Sequence, residues 1–312
     1  MFLLRGIAVS LAFYFVSYCL VSGLVSRGWH LAKRAGSLSP RGMASLLFGM
    51  RIAPAAISAL VTLVFVVPSF WRLEPRAIDE DLGIIPLVLG SGCLFLYGIG
   101  VYRVARALMR TSRVISNWLQ GARQLDVGTA PPTFQAQHSI PPLTLAGVCR
   151  PRVVVSETTV SVLSEDELHM ALQHEIAHLE SRDNLKKLAF QLFPVPWMAG
   201  LESAWVEAAE IAADDRAVGS VRNALDLAAA LIKLSRLVPV ESAPAISMGL
   251  LHAGAVSSRV ARLLAWDENQ RTRATKLTWY AAPPVLGGLV CTILLYGPLL
   301  TQVHRVTEWL VQ

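Results

Sequence analysis

The sequence predicts a multi-pass α-helical membrane protein with a water-soluble α+β domain inserted before its last span. Only 16% of the 312 residues are charged and 54% are hydrophobic, whereas soluble domains carry about 25% charged residues. Four stretches contain no charged residue, and each reaches the roughly 20 residues a helix needs to cross about 30 Å of hydrocarbon. The long segment between the third and fourth stretches has another character: short β-like runs, then helices with polar caps.

The four spans are placed at about 6–26, 52–71, 82–102 and 277–303. The first is longer than the apolar part of a signal peptide and no A-x-A-like site follows it, which favours a retained helix. Arg27, Lys33, Arg34, Arg41 and Arg51 fill the loop between spans one and two. Arg72, Glu74, Arg76, Asp79, Glu80 and Asp81 make the mixed loop between two and three. Arg103, Arg106, Arg110, Arg113 and Arg123 follow span three, and Arg271, Arg273 and Lys276 precede span four. Counting Lys and Arg, the positive-inside rule puts the first loop and the 103–276 segment in the cytoplasm, with both termini outside. This also accounts for the net charge of +6 without nucleic acid, and no direct nucleic-acid binding is expected. The expected organisation is 1–106 for three spans, 107–276 for a cytoplasmic domain, and 277–312 for the fourth span and a short tail. The spans lack interior charges, which argues against a transporter. Of Cys19, Cys93, Cys149 and Cys291, three lie in apolar runs and none forms C-x-x-C, so a disulfide framework and a thiolate metal site are both excluded.

Within the inserted segment, residues 107–123 read as a helix leaving the membrane, and 126–132 as a linker rich in helix breakers. Strands are expected at 133–137, 143–148 and 152–156. Ser164-Glu165-Asp166-Glu167 is a capping box with an acidic first turn, opening a helix. Residues 181–184 end or bend it. Residues 188–201 are uncharged but hold Pro194 and Pro196. They are too short for a confident span, so they read as a buried core helix or a segment dipping into the membrane face. Helices are expected at 201–220, 223–237 and 257–266.

The capped helix carries His174-Glu175-Ile176-Ala177-His178, the pattern H-E-x-x-H. Histidines four apart differ by about 40° around a helix, so both imidazoles leave one face and suit two corners of a zinc site. Glu175 is placed to take a proton from a water there. Alone, the pattern also fits a surface helix with two histidines. A catalytic zinc needs a third protein ligand. His169 lies about 140° from His174 around the helix, on another face, and the position six after His178 is Asn184. Glu207, Glu210 and Asp214 are spaced three and four apart and share a face of the following helix, across one apolar hairpin. They are the better candidates, though such a stripe is ordinarily a solvated acidic face.

Glu210-Ile211-Ala212-Ala213-Asp214 resembles the E-x-x-x-D ligand segment of the BlaR/MecR-type antirepressor metallopeptidases, membrane zinc enzymes of the gluzincin group. Gly147 to Val155 resembles that family's G-x-x-x-P strand entry, and Glu167-Leu168 its E-L before the zinc motif. Asp183 matches the family's R-x-D, with Arg182 shifted by one. The resemblance implies an inserted α+β gluzincin-like zinc metallopeptidase domain holding one Zn²⁺ on His174, His178 and Glu210. Glu175 is then the base, and Asp214 orients a ligand histidine. The family often has Arg and Cys where this chain has Ala209 and Ala213. Only Thr301 to Gln312 follow the fourth span, where the β-lactam sensors carry a penicillin-binding domain, so direct β-lactam sensing is not expected.

The expected activity is hydrolysis of peptide bonds in a cytoplasmic protein, a transcriptional repressor being one candidate, or in the enzyme itself during signal transduction. The expected location is the bacterial inner membrane, with the bilayer and a protein substrate as partners. The alternatives are a non-catalytic zinc-containing transducer and a quality-control protease for membrane proteins. No tyrosine lies between 103 and 276. The candidates for a second oxyanion donor are therefore His252, Arg216 and Arg259, each of which also reads as structural. The strand at 143–148 is the candidate edge for an extended substrate.

Overall fold

A computed structural model describes residues 2–34, 38–75, 83–125, 131–136, 141–237, 247–249, 256–267 and 296–311. Among them, three helical segments are long and apolar enough to cross a membrane: Phe2–Leu31, Pro40–Leu73 and Ile84–Leu119. The first belongs to α1 (Phe2–Arg34), and the third is α4 (Ile84–Leu119). The second joins α2 (Pro40–Val61) to α3 (Val67–Leu73) through a π-helical turn at Thr62–Val66. Proline explains the break. Pro68 has no N–H to donate to the carbonyl four residues back, that of Val64. The hydroxyl of Tyr296 donates to this carbonyl at 2.9 Å. Tyr296 opens α11 (Tyr296–Val311), so a neighbouring helix satisfies the freed group. The expected fourth span at 277–303 lies outside the described residues except for its last part, which is helical in α11.

α4 continues from the third apolar stretch to Leu119 without a break. The span and the helix expected at 107–123 are therefore one rod, and the expected boundary at 106/107 falls inside it. Strands β1 (Arg123–Leu125), β2 (Thr133–Ala136), β3 (Leu143–Ala146) and β4 (Arg152–Ser156) follow. With β5 (Ser247–Gly249) they form a sheet ordered β1-β2-β4-β3-β5. β2 and β4 are parallel, and the other pairs antiparallel. The Val153-Val154-Val155 run is fully buried, as β-branched side chains on an inner strand should be.

α5 (Glu157–Val162) leads to α6 (Glu165–Glu180), whose capping box forms as expected: Ser164 and Glu167 each accept from the other's backbone N–H. α7 (Asp183–Leu192), α8 (Ala199–Ala217), α9 (Val221–Ser235) and α10 (Val256–Leu264) complete the domain. The 188–201 stretch is not one helix. It breaks after Leu192, passes Pro194, makes a short 3₁₀ turn at Pro196–Met198 and restarts.

Two apolar clusters organise these elements. One lies between the sheet and α6, α9 and α10, around Leu145, Val153, Met170, Leu227 and Leu231. The other joins α7 and α8 to the membrane helices through Phe190, Leu201 and Trp205 against Tyr14, Trp29 and Leu47. Gly100 permits the closest approach there, since a Cβ at that position would lie 2.1 Å from the Leu192 carbonyl oxygen. Arg51 of α2 fastens the same junction. Its guanidinium donates to the carbonyls of Phe190 (3.1 Å) and Phe193 (2.7 Å) and to Glu202 Oε1 (2.8 Å). It thereby supplies a cation and donors to the carbonyl-bearing end of α7.

Candidate metal centre

α6 and α8 pack side by side, and their facing residues build the centre. His174, His178 and Glu210 are buried together, with one ligand atom of each within 4.8 Å of the others. The two Nε2 atoms are 3.1 Å apart; His174 Nε2 is 3.5 Å from Glu210 Oε2, and His178 Nε2 is 3.6 Å from Glu210 Oε1. Of the acidic stripe on α8, Glu210 and Asp214 face inward and are buried, while Glu207 is exposed. The three-and-four spacing alone left that choice open.

Each imidazole is fixed by a carboxylate on its other nitrogen. Asp214 Oδ1 is 2.9 Å from His174 Nδ1, and Asp183 Oδ2 is 2.8 Å from His178 Nδ1. Such partners set the tautomer that leaves Nε2 free to bind a metal. Asp183 reaches back because Arg182, with φ of 55°, is the one described non-glycine residue in the left-handed region. That kink ends α6 and turns α7 under His178, at a cost of about 1–2 kcal/mol for a residue with a Cβ.

A third layer holds the carboxylates. The Arg259 guanidinium of α10 donates to both oxygens of Asp214 (2.6 and 2.7 Å) and to Glu210 Oε2 (2.8 Å). All three side chains are at most 2% exposed. Arg259 therefore sits at the centre as a clamp on two carboxylates. Arg216 is instead engaged with Glu180 at 2.6 Å on a partly exposed surface, and His252 lies outside the described residues.

Glu175 faces β3. Its Oε2 accepts the Leu145 N–H at 2.8 Å, while Oε1 has no hydrogen-bond partner among the described residues. Burial pushes its carboxyl up to about 8, so it can hold and release a proton near neutrality. Asn184 ties the same strand, donating to the Leu145 and Gly147 carbonyls at 3.3 and 3.0 Å. Gly147 has a φ of 96°, a backbone glycine adopts freely. The candidate substrate edge of β3 is taken up by the chain's own β5, with Leu145 opposite Met248.

The donor set fits a divalent cation. Burial alone would depress the His174 imidazole, yet hydrogen bonds to Asp214 and Glu210 raise it to about 9, while burial holds His178 below its ordinary value. Two imidazoles in contact disfavour double protonation, and the carboxylates around them still favour positive charge at their midpoint. Once His174 gives up its proton, the two Nε2 atoms and the Glu210 carboxylate are donors suited to zinc and related metals.

Asp183, Leu145 N–H and Arg259 were not assigned these contacts by sequence. Asp183 stood in a recognisable motif without a role, and a backbone donor leaves no mark in a sequence. The profile of one protein family, described as BlaR1 peptidase M56, matches residues 74–263. Among curated proteins no match was found.

Proposed function

The chain belongs to the BlaR1 peptidase M56 family, and from that premise we propose that it is a zinc endopeptidase of the membrane whose catalytic domain faces the cytoplasm. The family assignment and the three apolar helices make it a membrane-associated peptidase or signal transducer. The observation that carries the catalytic reading is Glu175: a buried carboxyl beside a three-donor metal site, with one oxygen held and the other open.

In this reading His174, His178 and Glu210 hold Zn²⁺, which would supply Lewis acidity to a water and to the scissile carbonyl. Glu175 Oε1 takes the proton of the attacking water and passes it to the leaving amine. Leu145 N–H keeps the other oxygen in place, so the carboxyl does not rotate away. Asp183 and Asp214 hold the imidazoles in the ligating tautomer, and Arg259 keeps Asp214 ionised. The gluzincin-like arrangement, a fourth span at 277–303 and the 107–276 domain limits belong to this proposal. So does a substrate that is a cytoplasmic protein, such as a repressor. β5 holds the β3 edge in an extended pairing, so an external extended substrate would have to displace it to pair there. The same pairing makes the chain's own segment around 247–249 a natural first substrate.

Glu175→Gln tests the reading. The variant should lose proteolysis by about 10²–10⁴-fold while keeping its metal. Mass spectrometry of purified wild type should show cleavage around 247–249 that the variant lacks. Unchanged hydrolysis of peptides by the variant would overturn the catalytic role and leave a metal-containing transducer.

A further inference from the structure

Past the end of β3 the chain turns sharply. Gly147, with its φ of 96°, permits the turn, and a Cβ there would lie 3.1 Å from the Arg150 carbonyl oxygen. The turn presents Val148, Cys149 and Arg150, the last two exposed. Two cavities meet on it, since Gly147 and Val148 line both. The smaller, of about 260 Å³, reaches His178 of the metal centre and is edged by Arg182. The larger, of about 530 Å³, lies against the end of α4 and is edged by Arg150 and Arg152.

The charges along this path are one-sided. Arg150, Arg152 and Arg182 form no ion pair among the described residues. Arg152 lies over the Phe134 ring at 5.7 Å, which holds its guanidinium without neutralising it. No carboxylate stands among the described residues lining the larger cavity. Asp183 lines the smaller one, but it is shared between His178 Nδ1 and Lys186 Nζ, each at 2.8 Å. An arginine fork offers paired N–H groups that match a carboxylate. Apolar side chains lie between the arginines: Leu179 and Leu185 in one cavity, Ile115 and Leu119 in the other. Such a path suits a chain of mixed side chains better than a compact anion. An extended peptide advances about 3.3 Å per residue, so a few residues carry it from His178 across Gly147 and Val148. β5 pairs with β3 as far as Ala146, opposite Ser247, and the path begins where that pairing ends.

We propose that Arg182, Arg150 and Arg152 bind an acidic stretch of the peptide substrate, on one side of the bond to be cleaved. Resting on the peptidase reading, this adds a substrate class to it: a protein whose cleavage site is flanked by Asp or Glu. The three arginines select the substrate and take no part in breaking the bond.

Fluorescence anisotropy of the full-length Glu175→Gln chain in detergent reads binding without hydrolysis. The probes are labelled Leu-Ala-Leu-Ala-Glu-Glu-Glu-Glu, its reversed sequence, and both with Gln in place of Glu. In at least one orientation the acidic peptide should bind about tenfold more tightly than its Gln form, and Arg150→Gln and Arg182→Gln should each weaken it by about fivefold. Both arginines are exposed, so their variants keep the fold. Arg236→Gln, at the exposed end of α9, should change nothing. Equal affinity for the acidic and Gln peptides in both orientations overturns the site. So does wild-type affinity in Arg150→Gln, or equal weakening in Arg236→Gln. Displacement of the peptide by millimolar inorganic phosphate at constant ionic strength overturns it in favour of a free anion. A chain that binds the acidic peptide while its wild type cleaves nothing contradicts the peptidase reading and keeps the acidic-peptide site.

Discussion

α6 and α8 each offer the centre two side chains four residues apart, His174 with His178 and Glu210 with Asp214. They are positioned in different ways. α6 carries its own starting signal, a complete capping box with three acidic residues in the first turn, and rests on the sheet. α8 has Met198 at its N-cap with no side-chain cap, starts from a 3₁₀ turn, and packs Trp205 and Ala209 towards the membrane helices. One helix is fixed by the core on the sheet and the other by its packing against the long apolar helices. Their polar groups are also completed from outside: the histidines need Asp183 and Asp214, and the carboxylates need Arg259.

The strongest way to break the comparison is to remove the clamp on the α8 side. Arg259→Ala leaves two buried carboxylates without their cation and should cost about 3–5 kcal/mol of stability. Thermal unfolding in detergent would read this, and a loss below about 1 kcal/mol would contradict the clamp. Next come the two orienting carboxylates. Asp183→Asn and Asp214→Asn should each weaken metal binding by about 10–100-fold, measured by competition with a chelating dye. Asp214→Asn should have the larger effect, because it also strands Arg259. The smallest effect belongs to α6 alone. Ser164→Ala should cost about 1 kcal/mol and leave metal affinity nearly unchanged, since the cap lies more than two turns from His174. A large loss of metal in that variant would show that α6 is not independently fixed.

The difference between the two helices also explains what the sequence disclosed. α6 was legible because its cap, its two histidines and Glu175 are all local, within one helix. The strands at 133–136, 143–146 and 152–156 were legible for the same reason: short β-like runs between breakers, the last of them valine-rich. On α8 the acidic spacing was visible, but whether Glu207 or Glu210 turned inward depended on packing against α6. Asp183 was hidden by the left-handed residue before it, which reverses the chain and brings it back to His178. Arg259 lies 45 residues from Asp214 in sequence, and nothing local pairs them. The break at Pro194 was signalled by its prolines, yet the consequence, two helices docked on the membrane bundle, required Arg51 and Gly100 from distant spans.

Metal content of variants at neighbouring carboxylates of α8 tests the central claim most directly, that these two helices together hold one metal ion. Wild-type protein purified with zinc should carry one ion per chain. Glu207→Ala, altering the exposed carboxylate, should keep it, and Glu210→Ala, altering the buried one, should lose it. Zinc retained at full stoichiometry in Glu210→Ala, or lost in Glu207→Ala, would contradict the site.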